Sequence, residues 1–509
     1  MGSSTLPTCS RRCLLAFVLT LSWVTSLQLI NAALRATSVT PATLIAGQSG
    51  SVSVSFTSDV DVPVGGYIAV TFPTGFRLNV TTSVVAVDGT LFSSTLSVDS
   101  LSETDIVCAI GSADLPASSA FHFSISDVTN PGAGPSGSFS IVIQDKDQAP
   151  TASDTAVPSV TVASAALASV SVTLDSLSAG ATATAIVSFT SGVLLFVGSI
   201  IVVKLPSELS VSATSSLSPL LNLDSDSSLT VRSSSQVEVF VSGSAIPSAS
   251  MVSFKLSGVT NPGATTTDVF SVETMDNSRR VYEFANSVAG VVISSTALTK
   301  LSVSPERPLA GVSTPWVASL TLSVAVPALG ALIVSFPPEF AIGDGVTLEE
   351  ADQLFSTKTG VSTGNAIAFS FDSLLPVGSY TMVVNGVRNP GVCTTGSFEV
   401  RSCDSKGWTF EIGTAAGVTI TAGSITDARF TPLNPHPGIA SVVQLTFTTS
   451  AALDDDTLVY VALPASDYSL AVGSPTAVVN APVGALASVS WDTPKNGFCD
   501  IVVVLEHDQ

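Results

Sequence analysis

The side chains that could do chemistry in this 509-residue chain are few and scattered. Its three histidines, His122, His436 and His507, stand at no metal-ligand or triad spacing from one another. No H-E-x-x-H zinc motif occurs. Gly132, Gly134 and Gly137 match G-x-G-x-x-G, but a dinucleotide loop needs a helix behind it. Residues 138–145 alternate like a strand instead. Asp224-Ser225-Asp226 opens like a calcium loop, yet Leu229 and Ser235 stand where an EF-hand needs glycine and glutamate. Asp145-Lys146-Asp147 is opposed by its own lysine as a cation site, and Asp454-Asp455-Asp456 reads as a solvated loop. Catalysis needs converging titratable groups, so the chain reads as a non-enzyme without a cofactor or a specific metal site. Calcium dependence stays open.

One modification signal is present. Asn79-Val80-Thr81 is the single N-x-[ST] acceptor, in an expected loop after Phe76, and marks Asn79 for glycosylation in a secretory host.

The elements that hold these residues are repeats. Ala46-Gly47, Ala179-Gly180, Ala310-Gly311 and Pro437-Gly438 recur, with glycines 133, 131 and 127 residues apart. Phe72-Pro73, Leu205-Pro206, Phe336-Pro337 and Leu463-Pro464 recur at the same three intervals. A third marker occurs three times, as Asn130-Pro131-Gly132, Asn261-Pro262-Gly263 and Asn389-Pro390-Gly391. Two independent markers sharing their spacings define a repeat. Proline cannot donate to a ladder, so Phe-Pro ends a strand. Asn-Pro-Gly sets an extended residue, fixes φ at proline and frees it at glycine, a tight exit from a strand. Asp145, Asp276 and Asp404 each follow a strand phenylalanine by six residues and suit capping of the next turn.

Within a repeat the apolar period is two. Val52, Val54 and Phe56 alternate with polar residues, as do Leu320, Leu322 and Val324, and Ile367, Phe369 and Phe371. Such alternation gives each sheet one apolar face. Strands are expected near 35–40, 51–57, 67–72, 83–87, 105–110, 121–129, 138–144 and 158–164, and one short helical turn over 348–354. The expected fold is all-β: tandem antiparallel β-sandwich, immunoglobulin-like repeats of about 130 residues. The expected boundaries are 33–165, 166–296, 297–423 and a partial repeat at 424–509. The last repeat keeps the 35-residue interval from Pro464 to Cys499 that separates Pro73 from Cys108, then stops before its own Asn-Pro-Gly. Expressed alone, it is expected not to fold.

Arg11 and Arg12, the apolar run 14–24 and small residues near Ala32 form a signal peptide over 1–32. Residues 192–203 are apolar but too short to span a bilayer, so no membrane span is expected in the mature chain. Charged residues are only 11 % and the net charge is −21, with cations scattered, which excludes a nucleic-acid footprint. Hydrophobic content of 45 % argues against disorder. Beyond Cys9 and Cys13 of the leader, Cys108, Cys393, Cys403 and Cys499 are too few for a disulfide scaffold. Cys108 and Cys499 read as one core position, filled by Val241 in the second repeat. The extended run 397–403 spans about 20 Å at ~3.3 Å per residue, against the about 7 Å between Cα atoms that a direct Cys393–Cys403 bridge tolerates. Their pairing otherwise stays open.

Tandem units marked by F-P-x-x-F and G-V-x-N-P-G resemble repeats of large extracellular surface proteins of unicellular eukaryotes and of some bacterial adhesins. The resemblance covers 34–509. It implies a secreted or surface-displayed array, with adhesion as the common use. The expected function is an extracellular structural or adhesive repeat protein whose partners are neighbouring repeats and an extracellular protein or glycan. The alternatives are the ectodomain of a larger membrane receptor and a carbohydrate-binding module.

Overall fold

The computed structural model describes residues 32–86, 96–350, 357–450, 458–464, 466–469, 485–491 and 498–507. Residues 1–31 of the expected leader and Asp454–Asp456 lie outside these. The chain divides into two compact units, 1–165 and 166–509. Every described element is a strand or a turn, and no helix occurs among the described residues.

In the first unit two sheets enclose one core. One sheet carries Ala32–Pro41, Ser49–Ser58 and Ala120–Thr129, with Arg77–Leu78 and Val84–Ala86 on the far side. The other runs Pro150–Val157, Phe139–Gln144, Tyr67–Thr71, Asp105–Ile110, Leu96–Leu101. Alternation does what the sequence pattern requires. Val52, Val54 and Phe56 from one sheet meet Ile68, Val70 and Ile106 from the other, each at most 1 % exposed. His122 is half-buried on the outer side of its strand, opposite Ser55.

The second compact unit repeats this plan twice. Thr182–Ser191 and Ser250–Thr260 form the centre of one sheet, and Ile200–Lys204 lies between Phe270–Met275 and Gln236–Phe240 in the other. Trp316–Leu322 with Gly378–Asn385, and Ala331–Ser335 between Phe398–Cys403 and Ala366–Ser370, do the same further on. After Thr421 the described strands are Thr426–Pro432 with Val443–Thr448, and Leu458–Pro464, Phe498–His507 and Ala485–Trp491 in a three-stranded sheet.

Every repeat opens with the same bulge. Ala36, Ser169, Lys300 and Asp427 adopt φ of 48°, 51°, 53° and 53°, and the ladder to the next strand slips at each one. In the first repeat this kink lets one strand serve both sheets. Ala32 and Ala33 pair in parallel with Pro150–Val157, and the rest of the strand pairs antiparallel with Ser49–Ser58.

Three sequence expectations need correction. Of the helical turn expected over 348–354, residues 351–354 lie outside the described residues, and the rest belongs to the strand Thr347–Glu350, paired with Gly378–Asn385 on one side and Lys358–Thr359 on the other. Of the strand expected at 158–164 only Thr161–Val162 forms a named strand, and Pro150–Val157 is a further strand just before it. Cys108 pairs with Ile68, and the residue in the same register of the second repeat, opposite Ile201, is Val239 rather than Val241. Cys499 pairs with Leu463, four residues further along its partner strand. Equal interval therefore did not mean equal register, because the intervening hairpins differ in length.

Candidate functional site: the marker clip

The three markers meet at one end of each sandwich. In the first repeat the Asn130 side chain, 1 % exposed, donates from Nδ2 to the carbonyls of Thr43 (2.8 Å) and Ile45 (2.9 Å). Asn261 donates to Ser176 and Ser178, both at 2.9 Å. Asn389 donates to Arg307 and Leu309, both at 2.8 Å. The Ala-Gly loop is thus clipped to the Asn-Pro-Gly turn by side-chain bonds. Backbone bonds reinforce them: Gly47, Gly180 and Gly311 donate to the carbonyls of Pro131, Pro262 and Pro390. The glycines need their type here, with φ of 68°, 70° and 69°. Pro131, Pro262 and Pro390 give up no ladder bond, since each stands where the strand has ended.

After the turn, Gly134–Pro135, Thr265–Thr266 and Cys393–Thr394 pair with Thr161–Val162, Val292–Ile293 and Thr419–Ile420. Gly132, Gly263 and Gly391 open these small ladders. Gly132, Gly134 and Gly137 accordingly lead into strands, not into a helix.

The proline marker supplies the floor of the clip. Phe76, Leu209 and Phe340 turn back to donate their N–H to the carbonyls of Pro73, Pro206 and Pro337. This stacks Phe72, Phe76 and Phe139 with ring centroids 5.4–5.7 Å apart. In the third repeat Trp316 joins Phe336, Phe340 and Phe398 at 5.1–5.8 Å. Its Nε1 donates to Asn389 Oδ1 at 3.1 Å. In the second repeat the position of Trp316 is Ala185, and Asn261 Oδ1 has no partner.

The aspartates cap their turns. Asp145 Oδ1 accepts from the N–H of Asp147 and Ala149, Asp276 Oδ1 from Ser278 and Arg280, and Asp404 Oδ1 from Lys406 and Trp408, all at 2.8–2.9 Å. These carboxylates are spent on backbone. Asp224 likewise accepts from Asp226 N–H. Among the described residues no three His, Cys, Asp or Glu side chains converge as a metal site.

Asn79 is half-buried, and its Nδ2, the atom a glycan would take, donates to the Asp127 carbonyl (3.0 Å) and Oδ1 (3.1 Å). Thr81 donates to the same carboxylate. Gly360-Val361-Ser362-Thr363-Gly364 matches the nucleophile-elbow pattern, which composition alone would flag. Ser362 instead sits within a strand, Val361–Thr363, and its hydroxyl donates to the Gly343 carbonyl at 3.3 Å. An elbow needs a strand-to-helix turn that exposes the serine.

Two carboxylates of the second repeat are held in opposite ways. Glu238 receives both guanidinium nitrogens of Arg279 at 2.7 and 2.8 Å and Arg232 Nε at 2.8 Å. Those bonds outweigh its burial and hold its carboxyl down at about 2. Glu283 is 2 % exposed, and burial pushes it above the usual range despite bonds from Gly192 N–H and the Ser191 hydroxyl. Glu411, fully buried, does the equivalent work in the third repeat, accepting from Ser323 and Val324 N–H. Cys108, Cys393 and Cys403 are free thiols. Burial pushes Cys108 up to about 12 and also raises Cys403.

Neither a family model nor a curated protein matches the chain. Among solved structures, the chain is similar to the Escherichia coli adhesin FdeC at 14 % identity and a TM-score of 0.20, over 76 % of this chain and 97 % of that one. It is also similar to the type II cohesin dyad of the adaptor ScaA scaffoldin of Acetivibrio cellulolyticus, at 12 % identity and a TM-score of 0.18, over 49 % and 98 %. Identities and scores this low say nothing of what this chain binds. No described helix is long and apolar enough to cross a membrane.

Proposed function

We propose that this chain is an extracellular structural or adhesive array, secreted or displayed at a cell surface, and not an enzyme. The observation that carries the reading is the clip. Three sandwiches spend their Ala-Gly and Asn-Pro-Gly markers, at matched spacing, on closing the same end of the fold rather than on a pocket. We place the repeats at 33–165, 166–296, 297–423 and 424–509, after a signal peptide over 1–32. Asn79 carries an N-linked glycan in a secretory eukaryotic host, added before Asp127 closes over its amide. Low charge density with a strongly acidic balance keeps neighbouring copies apart. The partner is an extracellular protein or glycan.

The test is expression of the full chain with its own leader in a secretory eukaryotic host. The expected result is product in the medium or on the surface that lacks residues 1–32, loses mass on glycosidase treatment, and binds cells or matrix when coated on beads. Retention in the cytosol with Met1 intact would overturn the reading.

A further inference from the structure

We infer that the Ala-Gly and Asn-Pro-Gly markers of the second repeat also form a docking socket for the third repeat, holding the two sandwiches in one fixed orientation. The inference stands apart from the adhesive reading, since it rests on contacts between residues 166–296 and 297–423 within one compact unit.

The connection between the repeats has no slack. Val292–Ile293 is the last ladder of the second repeat and Thr296–Ala297 the first of the third, so only Ser294 and Ser295 lie between. Ser294 is itself bonded back: its N–H donates to the Leu177 carbonyl at 2.9 Å, and its carbonyl accepts from Ala179 N–H at 2.8 Å. Thr296–Ala297 pairs in parallel with Thr409–Ala415.

The facing surfaces are shaped to each other. Ala179 and Ile293 of the second repeat pack with Phe410 of the third, 7 % exposed, and with Leu174, Val291 and Val324 around them. A Cβ on Gly180 would stand 2.3 Å from Val324 Cγ1. A Cβ on Gly263 would stand 2.4 Å from the Trp408 carbonyl oxygen. Both are closer than any real Cβ contact, so Gly180 is required by the neighbour as well as by its own φ of 70°, and Gly263 by the neighbour. Ala264 N–H crosses the joint to the Thr409 carbonyl at 2.7 Å. Glu411 fixes the joint from behind, because its bonds to Ser323 and Val324 N–H set where Val324 projects.

The asparagine clip therefore has a second consequence. By pinning the Ala-Gly loop to the Asn-Pro-Gly turn, Asn261 holds Gly180 and Gly263 side by side, which is the shape that the Val324, Trp408 and Phe410 corner fits.

The test is amide exchange on the full-length chain at Ala264, a residue of the second repeat, after a change in the third. Phe410→Ala should expose the Ala264 amide at least about tenfold faster while amides of Thr182–Ser191 keep their protection. Gly263→Ala, which acts from the other side, should do the same. Unchanged Ala264 protection in both variants would overturn the inference, as would an Ala264 amide already unprotected in the parent chain. Loss of protection throughout Thr182–Ser191 in both variants would also overturn it, since the residues would then serve their own folds and not the joint.

Discussion

Between the second and third repeats two residues separate one ladder from the next, and Gly263 lies under the Trp408 backbone. Between the third and last repeats the markers recur, but the described residues show no equally close approach. Residues 422–425 carry no ladder, no described residue lies within 4 Å of where a Gly391 Cβ would stand, and Val392 and Ile425 are 65 % and 59 % exposed. The socket is present at both places, formed by the same asparagine clip. What differs is the corner. The strand that carries it in the third repeat, Thr409–Ala415, has no counterpart among the described residues after Thr426.

That contrast can be broken in several ways. The largest effect should come from the third repeat's own core. Trp316→Ala removes a fully buried ring and orphans Asn389 Oδ1, which should cost about 3–5 kcal/mol in denaturant unfolding. Next is Phe410→Ala, expected to cost about 2–4 kcal/mol and to separate the unfolding of 166–296 from that of 297–423. Ile425→Ala at the other junction should stay within about 0.5 kcal/mol. A comparable cost there would show that the two junctions are built alike.

The clip itself gives a graded comparison. Asn389→Ala removes the side-chain bonds to the Arg307 and Leu309 carbonyls and leaves Trp316 Nε1 without a partner, whereas Asn261→Ala removes only two bonds to carbonyls; Leu309 and Ser178 keep the N–H bonds of Val312 and Ala181. Each stranded group costs about 1–3 kcal/mol, so the third repeat should lose more than the second. Equal losses would mean that the tryptophan bond contributes nothing.

Acid should act on the second repeat in two directions. Glu238 is depressed, so its contribution is present above its unfolded value of 4.5 and fades as pH falls toward about 2. Glu283 is raised, so its contribution is greatest below 4.5 and is lost as pH rises through its folded value. Glu283→Gln should flatten the alkaline limb of the stability profile and Glu238→Gln the acidic limb. Unchanged limbs would remove both assignments. The smallest effect concerns reactivity. Cys393, half-buried on a two-residue strand, should take up a thiol reagent in the native state. Cys108, buried and pushed up to about 12, should react only on unfolding, which mass spectrometry of labelled peptides would show.

Much of this fold is legible in the residues because it depends on side-chain types. Proline and glycine punctuate turns wherever they occur, and alternation along Val52, Val54 and Phe56 sets which face is inward. The capping aspartates were legible for the same reason. The opening bulge was not. Ala36, Ser169, Lys300 and Asp427 share a backbone angle and no chemistry, so residue type does not announce the bulge. Register was also hidden, because hairpin length moves Cys108 and Val239 into one place at unequal intervals. The clip was half legible. The Asn-Pro-Gly turn is local, but the two carbonyls that Asn130 bonds lie 87 and 85 residues away. For Asn79, the acceptor motif is read from three residues, while Asp127, which holds its amide, is 48 positions on.

The claim that each repeat is a separately closed sandwich is tested most directly by pulling the full chain from its ends in a single-molecule force measurement. Marker spacings of 133, 131 and 127 residues predict three principal unfolding events that each release roughly 420–480 Å of extended chain, at ~3.3–3.6 Å per residue. A single event spanning the chain, or a ladder of increments bearing no relation to those spacings, would contradict the account.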